Sequence, residues 1–84
     1  MTTDHLQHMQ RLAASWRNGQ PQNRATSGVA LIYQYEVYGW KSSLRDPEHE
    51  RPGAVAVDPE GNAYVAVGGN DQTGARAWVP GTCI

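Results

Sequence analysis

A chain of 84 residues has room for one small domain and a modest core, since a chain of this size buries only about 60–65% of its unfolded surface. Seven bases against eight acids leave a formal net charge of −1, which argues against duplex DNA as a partner and equally against an acidic mimic of DNA. A single cysteine, Cys83, excludes an internal disulfide, and no apolar run approaches the ~20 residues of a membrane-spanning helix.

The N-terminal stretch MTTDHLQHMQRL lacks the apolar core of a signal peptide, so a cytoplasmic protein is expected. Residues 4–18 read as an amphipathic helix. Leu6, Met9, Leu12, Ala13 and Trp16 recur at spacings of three and four and form one stripe, while His5, His8, Arg11 and Ser15 fall outside it. Asp4 is the expected N-cap, Arg17 suits the last turn and Gly19 the stop. Residues 20–27, QPQNRATS, have no periodicity and read as a polar linker.

Gly28 to Lys41, GVALIYQYEVYGWK, is strand-like throughout. It is long for one strand, so a hairpin is expected, with its turn near Gln34-Tyr35. The charged run Ser42 to Gly53 follows. In it Asp46-Pro47-Glu48 predicts a short helix with Asp46 as cap and Pro47 at the first position. Arg51-Pro52-Gly53 predicts a type II turn. Ala54 to Gly69, AVAVDPEGNAYVAVGG, is the plainest hairpin in the chain. Asp58, Pro59 and Gly61 supply the turn chemistry, and the valines and alanines alternate on either side. VDPEGNAYVA resembles the strand–turn–strand of β-propeller repeats, but the unit occurs once and a propeller needs several. The glycine-rich stretch Gly68 to Gly74 predicts a flexible turn, Ala75 to Val79 a last strand, and residues 80–84 a loose tail. The expectation is one α+β domain over residues 1–84, an N-terminal helix packed on a four- to five-stranded antiparallel sheet spanning residues 28–79. Both faces of its central hairpin are apolar, and the second face calls for a cover, from which a homodimer is expected.

No catalytic, cofactor or metal signature stands out. His5 and His8 share a helix face but have no third ligand nearby, so a solvated helix face is the simpler reading. Asp46, Glu48, His49 and Glu50 hold the groups of acid–base catalysis, yet a short charged loop in a small protein offers little burial to tune them. The glycine-rich stretch lacks the Lys-Ser/Thr and the helix that complete a P-loop. A non-enzymatic protein is therefore expected. The aromatic residues carry more information. Tyr, Trp and Arg dominate protein–protein contacts, and Tyr35, Tyr38 and Trp40 border the charged run. The expected partner-binding set is Tyr35, Tyr38, Trp40, Lys41, Arg45, Asp46, Glu48, His49 and Arg51. Tyr33, Tyr38, Trp40 and Lys41 offer the alternative of a single-stranded nucleic-acid surface, with bases stacking on sheet aromatics.

The order GVALIY…EVYGWKSSLRDPEHERPGAVAVD, with its run Gly39-Trp40, Arg45-Asp46-Pro47-Glu48-His49 and Arg51-Pro52-Gly53, resembles short uncharacterised proteins carried by plasmids, prophages and integrative elements. The resemblance implies a mobile-element setting, in which small proteins such as anti-CRISPR and anti-restriction inhibitors block a protein complex of the host. It carries over no functional residue.

Overall fold

The computed structural model describes residues 3–21 and 26–81. A helix, α1 (Thr3–Asn18), is followed by five strands: β1 (Val29–Tyr33), β2 (Glu36–Lys41), β3 (Val55–Val57), β4 (Ala63–Val67) and β5 (Ala77–Pro80). All pairings are antiparallel and the spatial order is β2-β1-β3-β4-β5. The protein is α+β, as the sequence predicts. No helix among the described residues is long and apolar enough to cross a membrane.

The helix uses the predicted stripe. Met9 and Ala13 are buried, flanked by Leu6, Leu12 and Trp16, and they meet Ala30, Ile32, Val55, Val57 and Ala63 on one face of the sheet. Two polar side chains fasten this layer. Gln10 Nε2 donates to Gly61 O at 2.8 Å. Arg17 is buried, and its guanidinium donates to Ser27 O, Gly28 O and Val57 O at 3.0–3.1 Å. Desolvation lowers its pKa and Asp58 partly opposes that shift. The helix begins at Thr3, so Asp4 lies in its first turn instead of capping it, where its charge suits the positive end of the helix dipole.

The two hairpins differ in how they turn. Between β3 and β4, Asp58 Oδ1 accepts the Glu60 and Asn62 amides at 2.9 Å and Gly61 has φ 90°, the turn its residues predict. Between β1 and β2, Gln34 and Tyr35 form the whole connection, with φ 52° and 65°. Positive φ at both positions is the signature of a type I′ turn, which matches strand twist but favours Asn and Gly. Tight geometry, not residue preference, places the turn here.

The second sheet face is not left open. Val29, Leu31 and Ala56 are covered by Leu44 and Trp78, and Ala54, Ala66 and Ala75 pack together under Tyr33 and Trp78. The 42–53 connection folds back across the sheet and brings Leu44 over this face. The predicted type II turn closes that connection: Ala54 N donates to Arg51 O at 3.0 Å and Gly53 has φ 96°. The short helix is present as a 3₁₀ turn, Pro47–His49, but Asp46 is not its side-chain cap. Asp46 is left-handed at φ 50° and ψ 58°, and its carboxylate sits 3.5 Å from Arg45 Nε.

The glycine-rich stretch forms a turn, as expected, and is closed by its own hydrogen bonds. Asn70 bridges to Gly74, and Asn70 Oδ1 accepts the Gln72 and Thr73 amides at 2.8 Å. A Cβ on Gly74 would lie 1.8 Å from Glu48 O, so only glycine lets this loop touch the 3₁₀ turn. The last strand starts two residues later and ends one residue later than predicted. Ala75 is buried below the sheet, while Pro80 belongs to β5 opposite Tyr64 instead of opening a tail. An edge strand tolerates a proline because its outward N–H has no ladder partner to lose. Cys83 and the middle of the predicted linker lie outside the described residues.

Candidate functional site

The site begins with one extra residue. β1 pairs Leu31 with Gly39 and Ile32 with Val37, which leaves Tyr38 as a β-bulge. Strict alternation from Trp40 would put Tyr38 on the helix side of the sheet. The bulge turns it to the opposite face, alongside Lys41, whose partner Val29 also points there. There Tyr38 and Lys41 meet Glu50, delivered by the chain just after the 3₁₀ turn.

Glu50 is buried, and its side chain is only 7% exposed. Its Oε1 accepts the Tyr38 hydroxyl at 2.5 Å, and its Oε2 lies 2.8 Å from Lys41 Nζ. The same Nζ donates to Arg45 O at 3.0 Å and to Asp46 O at 3.1 Å. Three ammonium donors thus meet three acceptors, all from the segment that crosses the sheet. Trp78 Nε1 also donates to Arg45 O, at 3.2 Å, and Ala75 N to Glu50 O, at 2.9 Å. Burial raises the Tyr38 pKa, and the hydrogen bond to Glu50 and its charge raise it further, with Arg51 opposing. The phenol is therefore held protonated, as a donor.

Outside this knot opens a cleft of about 490 Å³. It is lined by Tyr33, Gln34, Glu36 and Tyr38 of the hairpin and by His49, Glu50 and Arg51 of the crossing segment. The Arg51 guanidinium stacks on the Tyr33 ring at 5.3 Å. The side chains of Glu36, His49 and Arg51 are exposed and make no hydrogen bond or ion pair with any described residue. Tyr38 remains 49% exposed.

The expected partner-binding residues separate into groups. Tyr38, His49 and Arg51 come together in the cleft. Lys41 is spent on the knot, and Arg45 and Asp46 contribute carbonyl oxygens to it. Glu48 is exposed and supplies backbone beside Gly74. Trp40 faces the helix side, opposite Ala30, with its Nε1 donating to Ser27 O at 3.0 Å. Tyr35 stands at the hairpin tip, 55% exposed, with His5 and His8 edge-on to its ring at 5.5 and 5.1 Å. Of the set for stacked bases, Tyr33 and Tyr38 line the cleft, Lys41 pairs with Glu50 beside Tyr38, and Trp40 lies on the helix side. The sequence reading does not single out Gln34 or Glu36, and it treats Glu50 only as one carboxylate in a charged run. No local pattern distinguishes Glu50 from its exposed neighbours, because its burial depends on the distant bulge. Among the described residues no three His, Cys, Asp or Glu side chains gather as a metal site.

The chain matches no known protein family, no curated protein and no solved structure.

Proposed function

We propose that the protein is a non-enzymatic interaction module that inhibits a host defence complex by binding a protein surface through this cleft. The observation that carries the reading is the Tyr38–Arg51 cleft itself. A half-exposed tyrosine held by the buried Glu50 and a guanidinium over the ring of a second tyrosine are residues of the hot-spot type, set in place before any partner arrives. The mobile-element resemblance supplies the setting, a host complex and not a metabolite. The Tyr38–Glu50–Lys41 groups support the same reading, because their polar atoms are engaged with one another and stiffen the surface.

The test is capture from host lysate with tagged protein, followed by affinity measurement on the purified partner. Tyr38→Ala and Arg51→Ala each should weaken that complex by about 30-fold or more, as for a hot-spot residue losing roughly 2 kcal/mol. A stoichiometric partner that binds both variants as tightly as the parent protein would refute the cleft as the contact. An inhibition assay that both variants pass unchanged would refute it as well.

A further inference from the structure

We infer that the cleft recognises an extended segment of its protein partner that carries both a basic and an acidic side chain, the first held by Glu36 and the second by Arg51. This rests on the proposed interaction reading and names the chemistry of the contact. Three observations carry it. First, Glu36 of the hairpin and Arg51 of the crossing segment line one cleft, yet no ion pair joins them. Each keeps its hydrogen-bonding capacity for something else. Second, Glu50 adds no net charge to the cleft, since it is matched by Lys41 at 2.8 Å. The cleft therefore has a polarity but no overall sign. Third, the Arg51 guanidinium lies over the Tyr33 ring, 5.3 Å from its centroid, and its N–H groups meet no acceptor among the described residues, which leaves them for a carboxylate. His49, on the same segment, adds an imidazole that can donate to that carboxylate.

A segment of single sign fits poorly. An acidic one gains Arg51 and meets Glu36; a basic one gains Glu36 and meets Arg51. Like-charge juxtaposition of this kind is how interfaces reject wrong partners. A segment bearing both signs satisfies both groups, and its backbone or an apolar residue can lie on the exposed Tyr38 ring.

The probes are four sets of nonapeptides on a Gly-Ser-Tyr background, with both termini capped and an uncharged fluorophore attached. One set carries a lysine and an aspartate one to five residues apart in either order, one a lysine alone, one an aspartate alone, and one no charge. At low salt the best two-charge peptide should bind at least about tenfold tighter than any single-charge peptide, a difference of about 1.4 kcal/mol. Glu36→Gln should reduce it to the aspartate-only level and Arg51→Gln to the lysine-only level. The double swap Glu36→Arg with Arg51→Glu should restore tight binding and invert the preferred order of the two charges. Equal binding across the four sets would overturn the inference. So would displacement of the peptide by free glycine at micromolar concentration, which would assign the cleft to a small zwitterion. If host capture depends on Tyr38 and Arg51 while the peptides show no two-charge preference, the interaction reading stands and this inference falls. If two-charge peptides bind while no host complex is inhibited, this inference stands and the defence reading falls.

Discussion

Lys41 has three N–H donors and places all three within its own chain, on Glu50, Arg45 O and Asp46 O. Its partner Glu50 is equally committed, so removing either leaves a nearly buried charge unmatched. Glu50→Ala should cost about 2–4 kcal/mol in urea unfolding, somewhat below the figure for a fully buried pair because the Lys41 side chain is 14% exposed. The Tyr38 phenol gives a pH signature. Its pKa is raised in the folded state, so above about pH 10 the unfolded chain loses this proton while the folded chain keeps it. Stability contributed by Tyr38 is complete below that pH and declines above it. Denaturant midpoints between pH 9 and 11 should fall more steeply for the parent protein than for Tyr38→Phe, and parallel slopes would show that the phenol is not held. At this scale the sequence exposes little. Tyr38, His49 and Arg51 can be named from composition and neighbourhood. That Glu50 is buried while Glu48, two residues away, is exposed follows from a long-range contact that no local pattern encodes.

The secondary-structure elements are far more legible, because their signals are local. The helix stripe and the Asp58-Pro59-Glu60-Gly61 turn are each written within a few residues and appear where expected. The β1–β2 turn is legible in place but not in kind. Gln34 and Tyr35 both adopt the left-handed conformation, which costs ordinary residues roughly 1–2 kcal/mol each. Gln34→Asn should therefore stabilise the protein by about 0.5–1 kcal/mol while leaving the Tyr35 contacts with His5 and His8 in place, as read by the shift in urea midpoint. A second element-level feature is the seating of α1. Arg17 ties its last turn to the backbone just before β1 and at the end of the neighbouring β3 through three carbonyl oxygens. Arg17→Met keeps much of the apolar stem but abandons those carbonyls. It should cost about 2–4 kcal/mol, with helical signal lost in the same transition as the sheet. An arginine in the last turn of a helix reads as a dipole partner. Its inward course is set by where residues 27, 28 and 57 arrive.

For the molecule as a whole, the cover over the second sheet face decides what surface is presented. Leu44 and Trp78 close over Val29, Leu31 and Ala56, and the loop at Gly74 clasps the 3₁₀ turn. The alternation of Ala54, Val55, Ala56 and Val57 shows from sequence that both faces are apolar, but which segment covers the second is a matter of topology. The 42–53 run, charged and rich in turn residues, looks like surface and is also a lid. Leu44→Ala combined with Trp78→Ala should uncover that face. Light scattering should then give a mass that climbs with concentration relative to the parent protein and its chain mass of 9.2 kDa. Masses that track the parent at every concentration would show that the lid does not depend on these two side chains.

The bulge at Tyr38 makes the floor of the proposed contact a removable insertion. Without that residue, Val37 would precede Gly39 directly and the alternation of Val37, Gly39, Trp40 and Lys41 opposite Ile32, Leu31, Ala30 and Val29 would become regular. A chain shortened by this single deletion should keep its hairpin, its Lys41–Glu50 pair and its core, yet lose the tyrosine from the cleft floor. Cooperative unfolding with abolished partner binding would mark the bulge as the point at which an ordinary sheet was adapted to a contact.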